Sequence, residues 1–170
     1  TSVGAADVFI LKLDAAGDFV WAKSFGGTLP ESGNSIAIDP SGYIYSTGIF
    51  RGTVDFDPSA GTDIHTSVGE DDVYIQKLDT SGNFLWTKCI GGIDFEDGYA
   101  ISADASGNVY TIGNFYDTVD FDPGLGVTNL ISVGDKDIFV LKLDNLGNFI
   151  WAKSFGSTGT DEGRSISVDA

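Results

Sequence analysis

The chain has 170 residues, 42% hydrophobic and 12% aromatic, with 25 acidic against 9 basic residues for a formal charge of −16. That apolar content belongs to a folding protein with a sizeable core and excludes a disordered chain. The acidic balance argues against nucleic acid, whose phosphates need clustered Lys and Arg, and against anionic membrane surfaces.

The apolar runs are of strand length and are broken by Asp, Lys or Gly, so the sequence predicts no membrane insertion. It also contains no signal-peptide pattern; an exported protein would carry its signal outside these residues. The single cysteine, Cys89, aligns with Ser24 and Ser154, which excludes a disulfide framework within the chain.

In chain order, Asp7 to Gly27 (DVFILKLDAAGDFVWAKSFGG) returns from Asp72 as DVYIQKLDTSGNFLWTKCIGG and from Asp137 as DIFVLKLDNLGNFIWAKSFGS. Trp21, Trp86 and Trp151 stand 65 residues apart. Self-similarity at a fixed period marks a repeat architecture, in which each unit buries its apolar faces against copies of itself. One complete period holds four apolar runs: Ser35 to Asp39, Tyr43 to Ile49, Asp72 to Leu78 and Asn83 to Ile90. They are rich in β-branched and aromatic residues and lack helical periodicity, which predicts strands.

Asp-x-x-Gly separates these runs five times, at Asp14 to Gly17, Asp39 to Gly42, Asp79 to Gly82, Asp104 to Gly107 and Asp144 to Gly147. A type I turn closed by a left-handed residue takes Asp first, to accept backbone N–H groups, and Gly last, where a Cβ is penalised. In the resulting register Leu13 is expected opposite Phe19 and Leu11 opposite Trp21. Phe9, Leu11, Leu13, Phe19 and Trp21 then share one face, and Val8, Ile10, Val20 and Ala22 the other. Both faces are apolar, as a sheet packed between two neighbouring sheets requires. A longer segment, Phe50 to Thr66 and again Phe115 to Ile131, carries Thr-Val-Asp-Phe-Asp-Pro at 53–58 and 118–123. It reads as an extra hairpin with Val and Phe on one side and Asp on the other, and as the part of the unit least required by a four-stranded sheet.

The fold expected is all-β, with β-propeller blades of four antiparallel strands in a 65-residue repeat and an incomplete ring in this chain. The run Gly33 to Gly48, GNSIAIDPSGYIYSTG, resembles the bacterial propeller repeat known as SBBP. Units of that family read as an Ile-Ala-Val-Asp strand, a Gly-Asn-Val-Tyr strand, a Phe-x-x-Lys-Leu strand and a Trp-bearing strand ending in Gly-Gly. The likeness to NHL-type blades is more distant. The resemblance covers the whole chain, implies the fold, and brings no shared catalytic residues; the Val-Asp-Phe-Asp-Pro segment departs from it. In this phasing 35–92 and 100–157 are complete blades, 1–27 supplies the last two strands of a preceding blade, and 165–170 begins the first strand of a following one. A ring of four such blades needs about 260 residues. The expectation is therefore a window on a longer repeat protein, or several chains completing a ring or spiral.

No catalytic set emerges. The only histidine, His65, is replaced by Leu130 one period later, and no His or Cys cluster has transition-metal spacing. Carboxylates are the one chemical theme. Asp55 and Asp57, repeated as Asp120 and Asp122, form Asp-x-Asp pairs suited to calcium or to the wet face of a strand. Glu31, the group Asp94, Glu96 and Asp97, and the pair Asp161 and Glu162 recur at one loop position. Lys12, Lys77 and Lys142, with Lys23, Lys88 and Lys153, form either a ligand-facing ladder or pairs with Asp at strand ends. The three tryptophans serve either blade packing or a sugar-stacking surface.

The function expected is a non-catalytic structural or interaction module of an extracellular or cell-surface bacterial repeat protein: scaffold, adhesin or fibre. The alternative is a glycan-binding or glycan-processing propeller using loops at one end of the ring. Expected partners are further blades of the same chain or other copies of it, with a cell-surface glycan or protein beyond them. No cofactor other than calcium is expected.

Overall fold

The computed structural model describes residues 4–169, so 1–3 of the opening segment and 170 of the closing one lie outside it. Its strands are β1 (Val8–Leu13), β2 (Phe19–Gly27), β3 (Ser32–Ile38), β4 (Ile44–Phe50), β5 (Thr53–Asp55), β6 (Ile64–Thr66), β7 (Asp72–Leu78), β8 (Phe84–Ile90), β9 (Asp97–Ala103), β10 (Val109–Asp120), β11 (Asn129–Leu143) and β12 (Phe149–Phe155). Among the described residues these make three four-stranded antiparallel sheets: β3-β4-β7-β8, β9-β10-β11-β12 and β1-β2-β5-β6. The first two are propeller-type blades in sequential order. The third joins two strands of the opening segment to a hairpin from the blade that follows.

The five Asp-x-x-Gly corners share one geometry. Each Gly N–H donates to the Asp carbonyl at 2.8–3.0 Å, and each Gly takes a positive φ between 77° and 88°. One Asp oxygen accepts the backbone N–H two and four residues on, at 2.8–3.1 Å. The side chain thereby replaces the hydrogen bonds the turn withdraws from the ladder.

The register beyond the corner differs from the expected one. Leu13 does face Phe19, but Lys12 faces Trp21 and Leu11 faces Ala22, with a bulge between. The same shift places Lys77 opposite Trp86 and Lys142 opposite Trp151. A bulge sets two residues against one, so Val20, Leu85 and Ile150 are extra residues. The indole consequently moves to the face of Ile10 and Lys12, away from Phe19.

Two apolar clusters fill the spaces between sheets. Val8, Ile10, Phe25, Trp21, Val54 and Phe56 meet Ile44, Phe50, Tyr74, Leu78 and Phe84 in one. In the other, Tyr45, Val73, Ile75, Ile90 and Trp86 meet Ile101, Val109, Phe139, Leu141 and Leu143. Each core is therefore shared by consecutive units.

The Val-Asp-Phe-Asp-Pro hairpin is not dispensable to this packing. Val54, Phe56, Val119 and Phe121 are buried, with their Asp neighbours half-buried on the other side. Phe56 lies 5.2 Å from Phe25, 5.1 Å from Phe50 and 5.4 Å from Tyr74, ring to ring. Phe121 repeats this against Phe115 and Phe139 at 5.2 and 4.9 Å. In one copy the hairpin is the separate β5–β6; in the other it is continuous with β10 and β11. The chain turns into it at a left-handed residue both times, Gly52 (φ 70°) and Asp117 (φ 52°).

Residues 165–169 form no strand. β3 and β9 each pair with the strand that follows them, and among the described residues no strand pairs with 165–169.

Candidate functional site

The most elaborate chemistry lies in the seams between units. Lys12 Nζ donates to the carbonyl of Thr80 at 3.0 Å, and Lys77 Nζ donates to that of Asn145 at 2.8 Å. Both acceptors belong to the Asp-x-x-Gly corner of the next unit. The paired indole closes on the same corner: a Cβ on Gly82 would sit 3.1 Å from Trp21, and one on Gly147 3.2 Å from Trp86. Trp86 Nε1 adds a long bond to Asn145 O at 3.4 Å. A turn carbonyl and a bare glycine thus form a knob, and a Lys–Trp cross-strand pair forms its socket.

The bulge is what makes the socket, since it sets Lys and Trp side by side. Lys77 Nζ also sits 4.4 and 5.0 Å from the ring centroids of Tyr43 and Tyr45. Burial lowers its pKa, with Asp39 and Asp144 opposing. Tyr45 Oη lies 3.0 Å from Asp39 Oδ2 and 3.2 Å from Gly107 O, bridging one corner to the next unit's; burial pushes this hydroxyl's pKa up. Deeper in the seam, Asn34 Nδ2 donates to Gly98 O at 2.9 Å, and the Ile101 N–H donates to Ser35 Oγ at 3.3 Å.

A backbone clasp crosses the first seam. β5 pairs with the end of β2 through Gly26 opposite Asp55 and Gly27 opposite Val54. Gln76 Nε2 donates to Phe56 O at 2.7 Å, fixing the hairpin from below.

The calcium candidates organise this hairpin's own backbone. Asp55 Oδ1 accepts the N–H of Asp57 and Asp63 at 3.1 and 2.8 Å, and Asp57 Oδ1 that of Ser59 at 2.8 Å. Asp120 accepts from Asp122 and Thr128 at 3.0 and 2.8 Å, and Asp122 from Gly124 at 2.8 Å. Among the described residues no three or more His, Cys, Asp or Glu side chains converge to hold a metal.

His65 packs edge-on to Phe56 at 5.8 Å, with Nε2 3.2 Å from Asp63 Oδ2. The Cys89 thiol has its pKa pushed well up by burial. Trp21 and Trp86 are engaged by the seams, whereas Trp151 packs on Tyr110 at 6.2 Å, with no corner against it among the described residues.

The sequence showed the recurring acids at Glu31, Glu96 and Asp161 but not the acid that each one meets. Asp7, Asp72 and Asp137 open their units one period apart, as do Glu31, Glu96 and Asp161 before the next first strand. Glu31, Glu96, Asp72 and Asp137 are buried. The available signal was the invariant interval between an Asp and an acid flanking Gly-Gly or Gly-Ser.

The outermost sheets end on open counterparts of these surfaces. Phe9, Leu11, Leu13 and Phe19 are exposed at one end, beside the Asp14–Gly17 corner, whose glycine has open space around it. At the other end Lys142 Nζ lies 4.7 Å from the Tyr110 ring centroid and 4.0 Å from Asp104 Oδ2, with Trp151 alongside.

No family model matches the chain. It is 30% identical over 106 residues to an uncharacterized WD repeat-containing protein of Acanthamoeba polyphaga mimivirus, covering 54% of this chain and 8% of that protein. It is 27% identical over 110 residues to the regulatory protein FlaEY of Caulobacter vibrioides, covering 65% of this chain and 12% of that one. The chain thus spans about a tenth of the length of either relative. With the three sheets, these similarities describe an all-β repeat protein of propeller-like fold.

Proposed function

We propose that this chain is a non-catalytic, repeat-based interaction module: a stretch of SBBP-type blades in an extracellular or cell-surface bacterial protein, serving as scaffold, adhesin or fibre. The observation that carries this reading is the seam, built twice from the same residues and presented unfilled on both outer faces. The likeness to a WD repeat-containing protein supports the repeat-based part; the cell-surface part rests on the resemblance of Gly33 to Gly48 and the acidic surface. Its nearest partners are further blades of this pattern, or other copies of it, each offering an Asp-x-x-Gly knob to Lys142 and Trp151. Contacts of this head-to-tail kind close into rings or continue as filaments according to the rotation per unit.

Light scattering across a concentration series is the test. The chain is expected to gain mass with concentration, and Trp151→Asp, which spoils the free socket while leaving both internal seams intact, to remain monomeric. A wild-type chain that stays monomeric at every concentration would remove the support for this reading.

A further inference from the structure

Buried carboxylates require a counter-charge, a proton or a metal. Asp72 and Glu96 are 2% and 0% exposed. Among the described residues no ion pair involves either of them or Glu31. Asp72 Oδ2 accepts from the Val68 amide at 3.0 Å and Glu96 Oε2 from the Gly92 amide at 2.6 Å, and the Gly69 and Tyr116 amides also bear on the two carboxylates. Asp72 Oδ1 and Glu96 Oε1 are buried without a hydrogen bond of normal geometry.

The two carboxylates flank Gly91–Gly92. A Cβ on Gly91 would fall 2.0–2.2 Å from the Asp72 carboxylate, and one on Gly92 would fall 2.9 Å from Val119 Cγ2 and 3.4 Å from both Glu96 Oε1 and the Thr118 carbonyl. Side chains are thus excluded where two acids and a hairpin carbonyl come together. The arrangement recurs one period earlier. There the vacant Cβ position on Gly26 lies 2.7 Å from Asp7 Cγ and 2.8 Å from Glu31 Oε2, and that on Gly27 lies 2.4 Å from Thr53 O and 3.3 Å from Glu31 Oε1. Asp7, Asp55 and Asp57 line one small cleft there, with Gly26.

We propose that each covered seam holds one hard divalent cation between the Asp and Glu of consecutive units, Asp72 with Glu96 and Asp7 with Glu31. The Val-Asp-Phe-Asp-Pro hairpin supplies a carbonyl from Thr118 or Thr53, and water completes the shell. Two carboxylates, backbone oxygen and water make an all-oxygen set suited to calcium. The ion joins one unit to the next, so the seam becomes ion-dependent where the hairpin covers it. The third pair, Asp137 with Asp161, has no hairpin over it among the described residues. It takes no part.

Isothermal titration of the chelator-stripped chain with calcium chloride at pH 7.5, paired with thermal unfolding, tests this. The expected result is two bound ions and an unfolding midpoint raised by about 10 °C or more at a hundredfold excess over the dissociation constant. Glu96→Gln is expected to bind one ion, and Glu31→Gln with Glu96→Gln none. If Glu96→Gln fails to fold, Asp72→Asn serves in its place. Asp120→Asn, whose remaining oxygen still accepts the hairpin amides, is expected to keep both ions. No saturable heat and no change in midpoint would overturn the proposal. So would calcium binding that survives Glu31→Gln with Glu96→Gln but is lost in Asp120→Asn, because the ion would then sit on the hairpin.

Discussion

The first β1 residues and their counterparts one and two periods on are nearly the same chemically and differ completely in environment. Phe9 is 71% exposed, whereas Tyr74 and Phe139 are fully buried; Leu13 is 48% exposed, whereas Leu78 and Leu143 are fully buried. The difference is only whether a sheet lies in front. A blade's apolar face is therefore an interface, and its core residues belong to pairs of units.

The sharpest way to break that comparison is truncation at matched positions. Phe139→Ala is expected to cost about 3–5 kcal/mol in a denaturant titration, and Phe9→Ala less than about 1 kcal/mol at concentrations where the chain is monomeric. Equal costs would mean that the outer face is not idle. Trp86→Ala is expected to lose about 2 kcal/mol, since the indole is half-buried in the seam.

Glycine substitutions sharpen the comparison further. Gly17 and Gly82 have φ of 88° and 78°, so alanine strains both by about 1 kcal/mol. Only Gly82 faces an indole, and Gly82→Ala is expected to be the more costly in thermal unfolding. Lys77→Met keeps the stem but loses the bond to Asn145 O, for about 1 kcal/mol.

A further effect concerns pH in chelator. Burial raises the Asp72 and Glu96 pKa values to about 6 and about 7, against the Gly92 and Tyr116 amides that lower the latter. The folded chain then holds protons that the unfolded chain releases above about pH 4. This contribution is complete below that value and is lost as pH rises through 6 and 7. The midpoint is expected to be higher at pH 5.5 than at pH 8, with Glu96→Gln flattening the change. The corner residues Asp79, Asp104 and Asp144, whose pKa values are lowered by hydrogen bonds from Asn83, Asn108 and Asn148, act oppositely and only at lower pH.

The strands, the five corners and the 65-residue unit were legible because turn chemistry is local and repetition displays it several times. The bulge was not. Phe19-Val20-Trp21 is apolar throughout, so alternation gives no sign of which residue is extra. The hairpin's weight was also hidden: Val54 and Phe56 look like one face of a small ribbon, and their burial comes from Phe25, Phe50 and Tyr74, which are distant in sequence. The acid pairs were visible only as a recurring loop position, because Asp72 and Glu96 meet through the packing of consecutive units.

The most direct test of the seam as an assembly device is a cross-link between copies. Leu85 and Leu146 line one groove of an internal seam, and their counterparts on the open faces are Ile150 and Ala16. In a Cys89→Ser background, chains carrying Ala16→Cys are mixed with chains carrying Ile150→Cys and oxidised. Rapid formation of the mixed disulfide dimer, abolished by Trp151→Asp on the Ile150→Cys chain, is the result expected. Mixed dimer forming no faster than with Ser59→Cys in place of Ile150→Cys would contradict the account.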